Sequence, residues 1–236
     1  MKKATTLILA LVLGLFAAQT AWAANAVNIS QVYGGGGSTT TGTYIYDYVE
    51  LFNNSGAAVT IGGWAIMYGS AGGSSFGSTT ASAALIPSGA TIPKCSYYLI
   101  QVGSAGTVGA PFPVTPDLIS SGPSMSLSSG KVALISNQTI PGPACVGNTT
   151  GGSFVDVVGY GTGNCYETTA AAVLSNSTVA VRKLGGGQDT DVNSADFVIQ
   201  GTNITTMHNS SMYGNPDCMP TLTRSGTWGK IKVLYR

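Results

Sequence analysis

From Ala26 onward the chain is a succession of short apolar stretches broken by turn residues. Ala26–Tyr33 alternates, with Val27, Ile29 and Gln31 on one face and Asn28, Ser30 and Val32 on the other, until the run Gly34–Gly37 ends it. Ile45–Phe52 is dense in aromatic and β-branched residues, and Asn53-Asn54-Ser55-Gly56 supplies a turn after it. Val59–Ile61 and Trp64–Tyr68 flank Gly62-Gly63. Ser96–Val102, Lys131–Ser136, Phe154–Val158, Thr178–Arg182 and Asp196–Ile199 complete the set of predicted strands. Residues 69–83 are nearly all Gly, Ser, Ala and Thr and read as a long mobile loop, and Gly103–Ser124 reads as irregular. No window of about 11 residues or more holds a helical period; Thr168–Leu174 makes a short helix at most. Period-two segments between turn signals predict an all-β protein, an antiparallel sandwich or barrel with long Gly/Ser-rich loops. Its buried anchors are expected to include Val27, Ile29, Val49, Leu51, Trp64, Ile66, Leu99, Leu134, Val155 and Val157.

The N-terminus has a different pattern. Lys2 and Lys3 precede an apolar run from Leu7 to Ala18, and Ala21-Trp22-Ala23 gives a small-x-small cleavage pattern. That run is too short to cross the ~30 Å of hydrocarbon comfortably. Residues 1–23 therefore read as a signal peptide, with no transmembrane segment expected in the mature chain. The expected destination is the extracellular space or the cell envelope.

Composition sharpens this. Charged residues are 8% of the chain and apolar ones 44%, so Ser, Thr, Asn and Gln carry most of the polarity. Too few charges remain for a coiled coil, and no basic field is available for nucleic acid. Without Lys2 and Lys3, eight cations face nine acids. Four of those cations lie in the last 13 residues (Arg224, Lys230, Lys232, Arg236), leaving an acidic body and a basic tail. The tail, Thr227–Arg236, mixes basic and apolar positions. It suits a surface anchor or sorting signal, a last strand, or a segment lying on the acidic body. The four cysteines, Cys95, Cys145, Cys165 and Cys218, form an even set in an exported chain and no C-x-x-C occurs, which suggests two disulfides. Three pairings are possible; we read Cys145–Cys165, flanking the Phe154–Val158 strand, and Cys95–Cys218.

Several segments, taken in order, resemble the lamin tail domain in the form found in exported bacterial proteins. They are Ile29–Tyr33 with its Gly run, Asp47–Asn53, Gly63–Ile66, Tyr97–Ile100, Val155–Gly161 and Asp189–Phe197. The resemblance implies an immunoglobulin-like β-sandwich over residues 24–200, without catalytic residues, followed by a C-terminal extension over 201–236. Such domains look like binding or anchoring modules, often attached to exported hydrolases.

Three constellations could carry chemistry. Asp189-x-Asp191-x-Asn193, with Asp196 beyond, spaces oxygen side chains as the start of a calcium loop does, because a hard cation gathers oxygens from alternate loop positions. The EF-hand Gly and terminal Glu are missing, and the same residues suit an Asx-rich turn that caps backbone N–H groups ahead of the last strand. Asp47, Glu50 and Asp156 sit in strands, with Glu50 and Tyr48 sharing a face opposite Val49 and Leu51. They read as a solvated face or as partners of Arg182 or Lys183. Gly73-Ser74-Ser75-Phe76-Gly77 matches G-x-S-x-G, yet no helix follows it, and the lone His208 lies in a polar C-terminal stretch. A hydrolase is thus the weakest expectation. A structural or adhesive module that contacts a cell-surface protein or a glycan is the strongest, with calcium-dependent carbohydrate binding as the alternative. The low charge and many β segments also permit self-assembly through strand edges.

Overall fold

The computed structural model describes residues 26–77, 82–139, 153–212 and 218. The alternating segments become β1 Val27–Tyr33, β2 Asp47–Asn53, β3 Val59–Thr60, β4 Ala65–Ser70, β5 Ala83–Leu85, β6 Thr91–Ile92, β7 Tyr97–Val102, β8 Leu118–Ile119, β9 Gly130–Ile135, β10 Phe154–Tyr160, β11 Thr178–Arg182 and β12 Phe197–Gly201. A single helical turn, α1 Asn193–Asp196, leads into β12, and Thr168–Leu174 forms no helix. Three strands escape the sequence pattern. β5 emerges at the end of the stretch expected to be loop, pairing with Ala65–Met67 of β4. β6 pairs with β3, and β8 runs parallel to β7 inside the stretch expected to be irregular. Strands of two or three residues are too short to show a period.

Two large sheets stack as a β-sandwich, in the orders β12-β11-β1-β2-β7-β8 and β10-β9-β4-β5, with β3-β6 as a small third sheet. Val27, Ile29, Val32, Val49 and Leu51 of the first sheet meet Ile66, Val132, Leu134, Val158 and Tyr160 of the second in one cluster. Each such aliphatic side chain contributes about 1.5–3 kcal/mol by leaving water. Of the expected anchors, Trp64 and Val155 are only partly buried. Leu99 and Val157 are buried, but in separate clusters on the outer sides of the two sheets.

Two β-bulges correct the simple alternation. In β1 the pairing steps from Ile29↔Leu51 to Gln31↔Glu50, leaving Ser30 as the extra residue. A bulge advances every later side chain by one face. Val32 therefore joins Val27 and Ile29 in the core, while Gln31 joins Ser30 on Glu50. In β10 the register shifts between Phe154 and Asp156, and Asp156 Oδ2 reaches across the sandwich to accept from Ile29 N at 2.6 Å.

The expected solvated face at Asp47 and Glu50 does not exist. Asp47 is 3% exposed and Glu50 fully buried: Asp47 lies under the Gly36 and Met125 loops, and Glu50 is covered because residues beyond β12 cross the outer face of the six-stranded sheet. Met207 packs among Tyr33, Tyr44, Tyr48 and Leu99. His208 N donates to Glu50 Oε2 at 2.6 Å, and its ring stacks on Tyr97 at 4.2 Å. Gln31 Nε2 donates to Thr206 O, and Ser210 binds Asp117. The strap ends in a disulfide between Cys218 and Cys95, Cα–Cα 5.4 Å, the pairing expected. Cys165 is also disulfide-bonded; Cys145, its expected partner, and the tail Thr227–Arg236 lie outside the described residues. At the other end of β2, Asp47 ties two loops together: Oδ1 accepts from Gly36 N and Oδ2 from Met125 N, each at 2.8 Å. The glycine run is needed there because a Cβ at Gly34, Gly35 or Gly36 would collide with Ser126, Asn176 or Tyr46.

Two stability predictions follow from the strap and from Asp47. The Cys95–Cys218 bond spans a sequence separation of 123 residues, and the chain-entropy account assigns a loop of that size at most about 5 kcal/mol. The Cys95→Ser/Cys218→Ser double variant should lose about 2–5 kcal/mol in guanidinium melts, and an unchanged midpoint would show that the strap needs no clamp. Burial raises the Asp47 carboxyl to about 6 against the pull of the Met125 and Gly36 N–H groups, whereas an unfolded Asp titrates near ~3.9. The folded state therefore holds the proton more tightly. The stabilisation is complete below the unfolded value and disappears as pH climbs through the folded one, a loss on the order of 3 kcal/mol. Wild-type melts at about pH 4 and about pH 7 should show this fall, and Asp47→Asn should make it smaller by about that amount.

Candidate functional site

The densest polar constellation lies between the two sheets, where Arg182 of β11 is fully buried. Its Nε donates to Ile29 O at 2.8 Å, Nη2 to Asp156 Oδ2 at 2.6 Å, and Nη1 to Gln188 O at 3.0 Å and Asp189 Oδ1 at 3.2 Å. Asp196 Oδ2 stands 3.7 Å from Nη1, and the guanidinium sits 4.6 Å from the Phe197 ring centre. Of the two readings of Asp156, pairing with Arg182 is the one observed. Burial opposes the charge on Arg182, but Asp156, Asp189, Glu167 and Asp196 together hold its pKa above the ordinary value. Burial likewise raises Asp156, with Arg182 opposing.

The four residues of the 189–196 segment have divergent roles. Asn193 is consumed internally: its Oδ1 accepts from Gly159 N and Glu167 N, and its Nδ2 donates to Val157 O and Glu167 Oε2. Asp196 accepts from Thr190 N at 2.8 Å, Thr190 Oγ1 at 2.7 Å and Val192 N at 3.4 Å, closing the turn on itself. Asp189 and Asp191 do approach each other, and a third carboxylate joins them. The oxygens of Glu167, Asp189 and Asp191 all lie within 4.8 Å of one another. Asp191 sits at a left-handed φ of 56°, a strained setting for a residue with a side chain. Glu167 is 1% exposed. Burial first, then the charge of Asp156, pushes its carboxyl up to about 9. Sequence reasoning missed Glu167 because it lies in no periodic segment. The one signal was scarcity: five of nine acids (Asp156, Glu167, Asp189, Asp191 and Asp196) gather around one arginine.

The esterase-like motif is not assembled into a triad. Ser75 lies in the loop after β4, on the four-stranded sheet, whereas His208 is committed to Glu50 and Tyr97 on the outer side of the six-stranded one. Among the described residues no helix is long and apolar enough to cross a membrane.

A solved structure of a DUF4876 family protein from Bacteroides thetaiotaomicron is similar at 13% identity and a TM-score of 0.47, covering 78% of this chain and 72% of that one. No curated protein matches the chain. The family model for the lamin tail domain matches residues 20–162, more than half of the sequence. With its immunoglobulin-like sandwich, which fits a non-catalytic binding or structural domain, the chain belongs to the lamin tail domain family.

Proposed function

We propose that this protein is an exported, non-catalytic structural or adhesive module of the cell envelope or extracellular space, and that its partner there is a surface protein or a glycan. One observation carries the reading: the polar side chains of the sandwich are spent on holding it together. Arg182, Asp156, Asn193, Asp196, Glu50 and His208 all face other parts of this chain, so contact with a partner falls to the loops. The export pattern of residues 1–23 and the bonded cysteines fit an oxidising compartment. Among the described residues β12 and β8 are the edge strands of the six-stranded sheet, which leaves room for self-assembly.

A second reading, calcium-dependent binding, is favoured by the Glu167–Asp189–Asp191 group. These carboxylates offer a hard cation part of the six to eight oxygens it prefers. In this reading Asn193 and Asp196 shape the loop rather than touch the ion.

Two experiments test these readings. Expressed in a bacterial host, the full chain should be recovered outside the cytoplasm, beginning at Ala24 and bound to envelope fractions. An intact N-terminus on protein confined to the cytoplasm would overturn export. Adding calcium at about millimolar concentration should raise the melting temperature, and Asp191→Asn should abolish the rise. An identical wild-type melt with calcium and with chelator would remove the cation.

A further inference from the structure

A cleft of about 540 Å³ opens beside the end of β4, walled by Tyr68–Ser70, by Gly73, Ser75 and Gly77 of the loop after β4, by Ser82, and by residues 121–124 after β8. That volume lies within the ~300–1,000 Å³ of small-ligand sites. The G-x-S-x-G motif thus forms one wall of a cavity instead of a nucleophile elbow.

We propose that this cleft binds neutral carbohydrate. The proposal rests on the binding-module reading above and gives it a place and a ligand class. Among the described residues no charged side chain lines the cleft. An anion would find no cation there, and a cationic ligand no carboxylate. Lys131, the nearest buried cation, is turned to structural use: its Nζ is bound to Gly73 O and, at 2.6 Å, to Asn164 Oδ1, and lies 5.7 Å from the Phe76 ring centre. It props the 73–77 loop from beneath. A Cβ at Gly69 would strike Lys131 Cε and Ser75 O, so the floor there is bare backbone, and Gly77 turns the loop at φ 101°, a glycine conformation.

What the walls do present is hydroxyl groups. Among the described residues, those of Ser70, Ser75, Ser82, Ser121 and Ser124 make no hydrogen bond within the protein. An aliphatic ligand would cover these groups without pairing them, at a cost in free energy for each. A polyol pairs them in both directions, since a hydroxyl both donates and accepts. Tyr68 adds an aromatic surface on one wall. Its ring is half-buried and its hydroxyl accepts from Ser126 N at 3.0 Å, so it is held in place before any ligand arrives. Neutral hydroxyls, exposed peptide groups and a fixed ring together match the alternating polar edges and apolar faces of a pyranose.

The test uses the mature chain on a printed array of neutral gluco-, xylo-, manno- and chito-oligosaccharides, followed by calorimetry with the strongest binder. Ser75→Trp and Ser124→Trp fill the cleft from half-buried and exposed positions. Each should weaken binding roughly tenfold or more while leaving the melting temperature unchanged, and wild-type binding should persist in chelator. Val173→Trp, at an exposed residue that does not line the cleft, should bind as wild type does. Glycan binding that both cleft variants retain would overturn the cleft yet leave a binding module standing. A wild-type chain that holds to envelope protein but to no neutral glycan would also overturn the cleft. A chain that holds to neither would overturn the broader reading with it.

Discussion

The ion pair of Arg182 and Asp156 is the constraint on which the sandwich depends. One partner is on each sheet, both are removed from water, and a pair so placed needs further hydrogen bonds to offset its lost hydration, which every polar atom of the two side chains but Asp156 Oδ1 has. The backbone supplies most of these partners at irregular points. Ile29, at the edge of the β1 bulge, gives its N–H to Asp156 and its carbonyl to Arg182. The β10 bulge brings Asp156 to the place where it can accept. Loss of either partner alone would strand a charge between the sheets, at about 3–5 kcal/mol. The pair therefore specifies one stacking of the two sheets, which nonspecific apolar contact would leave less well defined.

The same irregularities limit how much of the fold could be read from the sequence. Where the period of two runs unbroken, as in β2, β7, β9 and β11, the strands lie within a residue or two of their expected positions. Where a bulge intervenes the assignment of faces fails, because Ser30 has no sequence mark that sets it apart from any other polar residue in a strand. Short strands fail for another reason: Ala83–Leu85, Thr91–Ile92 and Leu118–Ile119 are held by their neighbours rather than by any pattern of their own. The site was legible in the same partial way. Asp189 and Asp191 were found by their spacing along one loop, whereas Glu167 and Arg182 come to the site from elsewhere in the chain.

Coverage of the outer face is the larger departure. Glu50 alternates with Val49 and Leu51 as an exposed residue should. It is buried because Gln31, Ser30 and the His208 backbone all donate to it. A carboxylate in that setting is a docking point for the chain's own C-terminal segment, and the Cys95–Cys218 bond holds that segment down. The strap thereby converts a polar sheet face into interior.

This division of labour bears on how the protein meets others. With nine acidic residues in the chain, five are drawn to Arg182, while Glu50, Asp47 and Asp117 each fasten a loop or the strap. Within the described sandwich few ionised side chains are left to steer a charged partner from a distance, so its own long-range attraction is weak, the basic tail Thr227–Arg236 lying outside the described residues. Contact has to be made at short range by hydroxyls, amides and aromatic rings, which the Gly/Ser loops expose and the sandwich keeps in place. A partner selected in that way would be rich in hydroxyls and poor in charge, as the proposed neutral glycan is.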